Sequence, residues 1–204
     1  MERSGERDAA LAAMVPLVAE HGWTKLCLRH ALTALGQDAE AAEFLFLDSA
    51  DMVAAYIDYA DRRMAAEAGS LAELRLTGRV RGLILLRLAQ AETEREAVRR
   101  AMAVLALPRQ AGVAARSLAG TVDAIWRAAG DRSVDFSWYT KRGILAGVYG
   151  TTLLYWLKQD GLSDPDNVRT AAFLDRRLAA VGRLGKLRRK FTPGRKSAGA
   201  SAAA

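Results

Sequence analysis

Apolar residues recur at helical spacing in block after block of this chain, and no run of β-branched residues interrupts them. Leu11, Met14, Val15, Leu17 and Val18 fall on one side of a helix expected over residues 7–20, which His21 and Gly22 end. The same reading gives helices over 25–35, 39–46 (capped by Asp38) and from Asp48 to about 67. Further helices are expected over 78–90, 93–107, 114–129 and 136–158, with breaks at Pro108, near Gly112 and at Gly130-Asp131. The apolar share is dominated by Ala and Leu, both good helix formers, so the fold class is all-α.

Charge is distributed unevenly. The net charge is +7, yet residues 173–196 hold nine basic side chains against Asp175 alone, which leaves the rest close to neutral. In that segment Phe173, Leu174, Leu178, Val181, Leu184, Leu187 and Phe191 form an apolar stripe, with Arg176, Arg183, Lys186 and Lys190 opposite. A helix of this kind lies in an anionic headgroup layer; the competing expectation is a last helix packed on its own domain. The membrane-binding set is therefore Leu178, Val181, Arg183, Leu184, Lys186, Leu187, Lys190 and Phe191. The longest uncharged apolar stretch, 143–157, has 15 residues, short of the roughly 20 that span a bilayer.

Cys27, the one cysteine, is expected to be a small buried apolar residue. With only His21 and His30 beside it, no metal is expected, and no cofactor. No nucleophile and base, carboxylate dyad or phosphate loop stands at readable spacing, so the chain is expected not to be an enzyme. Its first residues carry charge where a secretory leader needs an apolar core. With no mitochondrial presequence in view either, the expected location is cytoplasmic, peripheral at a bacterial inner membrane.

Three short helices followed by a long one, with the string AEHGW…ALG…AAEFLFLDSADMV, resemble the helix-turn-helix domain of TetR-type repressors. In such a domain the third helix needs cations and neutral donors to meet phosphates and base edges. Residues 36–61 instead hold Asp38, Glu40, Glu43, Asp48, Asp51, Asp58 and Asp61 and no Lys or Arg, so this face is expected to reject DNA. Phe44, Leu45, Phe46 and Leu47 are read as core. The expected division is a degenerate helix-turn-helix domain (1–70), a helical ligand domain (71–170), a basic amphipathic helix (171–192) and a disordered tail (193–204).

The string TVDAIWRAAGDRSVDFSWYTKRGILAGVYGTTLLYWL, preceded by Leu107-Pro108, resembles the Coq-nine family of accessory lipid-binding proteins of ubiquinone biosynthesis, whose fold is TetR-like. The resemblance implies binding of an isoprenoid lipid or quinone precursor and docking onto a di-iron hydroxylase. It also implies a partner surface of Trp138, Tyr139, Asp123, Ile125 and Arg142. Asp135 is placed to cap the helix that begins there, so Trp138 and Tyr139 fall in its first turn, while Trp126 is expected in the core. Along that helix Leu145, Tyr149, Thr152 and Trp156 share a face assigned to lipid, and Gly143, Ala146, Gly147 and Gly150 thin a side enough for a chain to approach. A homodimer is the expected assembly. The alternatives are a TetR-type transcriptional regulator with a hydrophobic ligand pocket, and a lipid carrier without a hydroxylase partner.

Overall fold

The computed structural model describes residues 3–131, 137–159 and 164–191, without the side chains of 137, 138, 165 and 184–191. Among the described residues every regular element is helical: α1 (Gly5–Met14), α2 (Val18–His21), α3 (Lys25–Ala34), α4 (Ala42–Leu45), α5 (Ser49–Ala66), α6 (Leu76–Gln90), α7 (Arg95–Leu105), α8 (Ala111–Ala128), α9 (Ser137–Lys158) and α10 (Val168–Phe191). The all-α class expected from the sequence is what the described residues adopt.

Local chemistry sets the boundaries. The Ser4 hydroxyl accepts from the amide of Arg7, and Thr24 does the same for Cys27, opening α1 and α3. Asp38 and Asp48 cap as expected, the latter accepting from the Asp51 amide at 2.9 Å. Pro16 turns the expected first helix into α1, a short 3-10 segment and α2, because its ring removes a donor and crowds the preceding turn. Gly22 closes α2 at φ +68°, in the left-handed region that glycine enters freely.

One apolar core runs from Ala10 to Leu174, so the boundary expected at residue 70 separates two packed parts of a single hydrophobic cluster. Trp23 ties the N-terminal helices to the rest, its indole donating to the carbonyl of Ala97 at 3.0 Å and its ring lying 5.0 Å from that of Tyr56. Cys27 is fully buried as expected, and burial pushes its thiol up to about 11.

Two expectations are corrected near α4. Phe46 is buried, but Phe44 and Leu47 are 90% and 86% exposed, because a four-residue helix has room for only one inward row. Several of the acids counted against DNA are also already neutralised. Asp51 pairs with Arg7, Asp58 with Arg3 and Arg62, and Asp61 with Arg87. Lys25 donates to the carbonyls of Ala42, Glu43 and Phe46, so the cation nearest the third helix is spent on closing it.

α10 is one helix that begins before the expected boundary at 171. Leu174 is buried, Leu178 and Val181 pack against the core, and Phe173 stacks on Tyr155 at 4.3 Å. Its start is held by Asp164, which accepts from the amides of Arg169 and Thr170 and from the Thr170 hydroxyl at 2.6 Å. Burial alone would raise this carboxyl; those donors outweigh it and hold it below its ordinary value.

Replacing Asp164 with Ala should cost about 1–2 kcal/mol in urea unfolding at neutral pH, since it removes a cap and leaves buried donors unmet. A carboxyl lowered in the folded state contributes stability above its unfolded pKa of about 3.9 and loses it as pH falls through the folded value. The difference between wild type and variant should therefore shrink only in the acid range; a constant difference down to acid unfolding would contradict the assignment.

Candidate functional site

An elongated cleft of about 480 Å³ opens among α5, α6, α7, α8 and α9. Apolar side chains make most of its wall: Ile57, Leu88, Val98, Met102, Leu105, Leu118 and Leu153, with Trp156 at one end. That volume lies in the range of small-molecule sites, roughly 300–1,000 Å³. α9 presents Ala146, Gly147 and Gly150 to the cleft, and a Cβ added at either glycine would meet nothing within 4 Å. The small residues thin the helix where a chain could lie, as the sequence implied.

Polar contacts tie the walls of the cleft together. The Trp156 indole donates to Glu92 at 3.2 Å, and the Arg95 guanidinium lies 4.1 Å over the ring while donating to the carbonyls of Trp156 and Gln159. Deeper in, Arg87 on α6 donates to Asp61 on α5 at 3.0 Å, and Thr121 on α8 donates to the other Asp61 oxygen at 2.8 Å. Both charges are almost fully buried. Burial disfavours the guanidinium charge, but neighbouring Tyr149 and Asp61 outweigh it and keep Arg87 above its ordinary value, while burial pushes the Asp61 carboxyl up against the pull of Arg87 and Thr121.

A larger groove of about 870 Å³ lies beyond this pair, lined by Asp61, Arg3, Asp58, Arg62, Arg116 and Arg127. Ile57 and Ser117 border both hollows, so Asp61, Arg87 and Thr121 form the partition between them. The groove is lined by several charged side chains, whereas the cleft combines apolar walls with few polar groups, which is the pattern of a ligand site.

The lipid face expected on α9 is half corrected. Tyr149 and Trp156 line the cleft; Leu145 and Thr152 do not, and are buried in packing with neighbouring helices. Ile125 of the expected partner surface is fully buried and cannot meet a partner there. Asp123 and Arg142 pair at 2.6 Å between α8 and α9, and Tyr139 is 76% exposed in the first turn of α9. Trp126 is half-buried against the core. Ser133, Asp135, Phe136 and the side chain of Trp138 lie outside the described residues.

Of the membrane set, Leu178 and Val181 turn to the protein's own core, which corrects their assignment, and Arg183 is exposed. The side chains of Leu184, Lys186, Leu187, Lys190 and Phe191 lie outside the described residues. Sequence reading missed Arg87, although the signal was present: it stands in the buried stripe of Val80, Leu83, Ile84 and Leu88, where a lone cation has no ordinary reason to be.

Comparison with known proteins bears on the same helices. A family model described as COQ9 matches residues 111–185, which hold α8, α9 and most of α10. Ubiquinone biosynthesis protein COQ9, mitochondrial, of Rattus norvegicus is 29% identical over 82% of this chain and 56% of its own length. The protein of that name from Homo sapiens is 28% identical over 82% of this chain and 55% of its own. Over these helices the chain is similar to COQ9 proteins. It spans little more than half the length of these relatives. In Xenopus laevis, COQ9-A reaches 41% identity over 42% of this chain and 26% of its own length.

Among solved structures, a TetR transcriptional regulator from Nitrosomonas europaea superposes with a TM-score of 0.67 at 21% identity, covering 88% of this chain and 99% of that one. At that identity the likeness establishes the fold.

Substituting Gly150 with Leu should leave the melting temperature unchanged or raised, since a helical glycine costs up to about 1 kcal/mol and the site is open. Uptake of the apolar dye diphenylhexatriene should fall by on the order of tenfold as the cleft fills. Undiminished uptake would mean that the dye binds elsewhere.

Proposed function

We propose that the chain is a non-catalytic accessory protein of ubiquinone biosynthesis that holds an isoprenoid quinone precursor in the cleft and presents it at a membrane to a di-iron hydroxylase. The observation that carries this reading is the apolar cleft itself, walled by α8 and α9 inside the segment that matches the COQ9 family. An isoprenoid tail gains about 0.8 kcal/mol per buried methylene, so a tail that fills the cleft supplies ample affinity without any charged contact.

The proposed partner surface is the start of α9, where Tyr139 stands exposed beside the Asp123–Arg142 pair that joins α9 to α8. Exposed aromatics on a rigid helix end serve well as interface anchors. Membrane contact is assigned to the basic end of α10, beyond the part that packs on the core. Among the described residues no helix is long and apolar enough to cross a membrane, so attachment is proposed to be peripheral, at the bacterial inner membrane. A homodimer is part of the same proposal, supported by Ile144 and Leu154, which remain exposed on α9.

Organic extraction and mass spectrometry of the purified chain should release an isoprenoid lipid, or the emptied chain should take one up on incubation. A protein that neither carries nor accepts such a lipid would end the proposal.

The second reading is a ligand-responsive transcriptional regulator, favoured by the superposition on a TetR regulator. Lys25 spent on helix closure and Phe44 exposed on α4 both weigh against that reading, because phosphate and base contacts need cations and polar donors at that helix. In an electrophoretic shift assay with genomic fragments, no discrete complex should form below micromolar protein; a sequence-selective shift would favour the regulator.

A further inference from the structure

Arg87 is an anomaly for a cleft that only has to hold hydrocarbon. Its guanidinium is almost fully buried and lines the cleft, yet it uses only Nε, on Asp61, and among the described residues the two Nη groups donate no hydrogen bond. Asp61 accepts from Arg87 through Nε and from Thr121 at its other oxygen, and among the described residues neither Nη group donates to it. Four N–H donors are thus left over on a buried cation, where most buried polar groups are satisfied.

Tyr149 repeats the pattern. Its ring is buried and lines the cleft, its hydroxyl takes part in no hydrogen bond among the described residues, and it lies close enough to Arg87 for each to shift the other's ionisation. The Tyr56 hydroxyl, by contrast, is committed to Glu94 at 2.7 Å. Both side chains are among those that line the cleft.

We propose that Arg87 and Tyr149 form a headgroup site, which takes a neutral amphiphile whose polar end carries acceptor oxygens, such as a quinone carbonyl or a ring methoxy group. This rests on the lipid-binding reading above and narrows it: the tail lies toward Leu105, Leu118 and Leu153, and the ring end meets the donors. Neutrality follows from the charge balance. Asp61 already offsets Arg87, so an ionised head would leave an uncompensated negative charge in a low-dielectric pocket.

The test uses the full chain, stripped of lipid, and three probes with matched tails: a dimethoxybenzoquinone bearing a ten-carbon chain, decylbenzene and undecanoate. Two donors aimed at the head should make the quinone bind about tenfold tighter than decylbenzene, with undecanoate weaker than the quinone. Tyr149→Phe, which removes only an oxygen, should reduce the preference several-fold. Arg87→Met combined with Asp61→Leu removes both charges together, so that neither is left unpaired, and should bring the ratio of quinone to decylbenzene affinity to about one, whatever its effect on the shape of the cleft.

Should the double variant fail to fold, Tyr149→Phe decides alone. Equal affinities of wild type for quinone and decylbenzene, an unchanged preference in Tyr149→Phe, or tighter binding of undecanoate would overturn the headgroup site while the lipid cleft stands. Failure of all three probes to bind would overturn the cleft reading itself.

Discussion

Three helices that are far apart in sequence meet at one carboxylate. Asp61 on α5 accepts from Arg87 on α6 and from Thr121 on α8, and this buried tie fixes how α5, α6 and α8 face one another. A charge pair with such burial adds little net stability over a well-packed apolar substitute, because desolvation consumes most of the attraction. Its structural effect is to specify an arrangement: any slip of α6 along α5 would strand a charge. The same pair forms the wall between the charged groove and the apolar cleft, so the geometry of the cleft depends on it.

With that partition fixed, the remaining walls follow from residue size. α9 is apolar nearly all round, and a helix of that kind must be covered on more than one side. It packs Leu145, Thr152 and Trp156 inward and gives Ala146, Gly147 and Gly150 to the cleft, where absent side chains leave room. The Asp123–Arg142 pair near the start of α9 and the Glu92–Arg95–Trp156 cluster near its end hold it against α8 and α7. A cleft so framed needs no large motion to exist, and Leu154, 62% exposed, stands at its mouth.

Much of this was legible in the sequence, and the misses share one physical cause. Caps and breakers act locally, so Asp38, Asp48, Gly22 and Pro108 mark their boundaries without reference to the rest of the chain. Orientation is a different matter. On α9 periodicity offered Leu145 and Thr152 as a ligand face, but a helix without a polar side gives no phase by which to choose. Phe44 and Leu47 were read as core from their neighbours, though a helix as short as α4 cannot turn four consecutive large residues inward. Arg87 was missed because its partner, Asp61, is 26 residues away and only the fold brings the two together.

The N-terminal helices share a TetR-like layout, and most of their cations are paired within the fold. Sharing a fold fixes backbone paths, while function depends on which side chains remain free at the surface. In this chain the cations that could meet phosphate are turned inward. Lys25 closes α4, Arg29 pairs with Glu43 at 2.9 Å, Arg7 lies over Phe46 and binds Asp51, and Arg62 bridges Asp8 and Asp58. Each contact knits the head to the body, and each removes a charge that a phosphate would need. On α10, Arg176 and Arg183 are exposed beside apolar residues already committed to the core. On that distribution, the membrane contact proposed for this chain falls at its last helix rather than at its third.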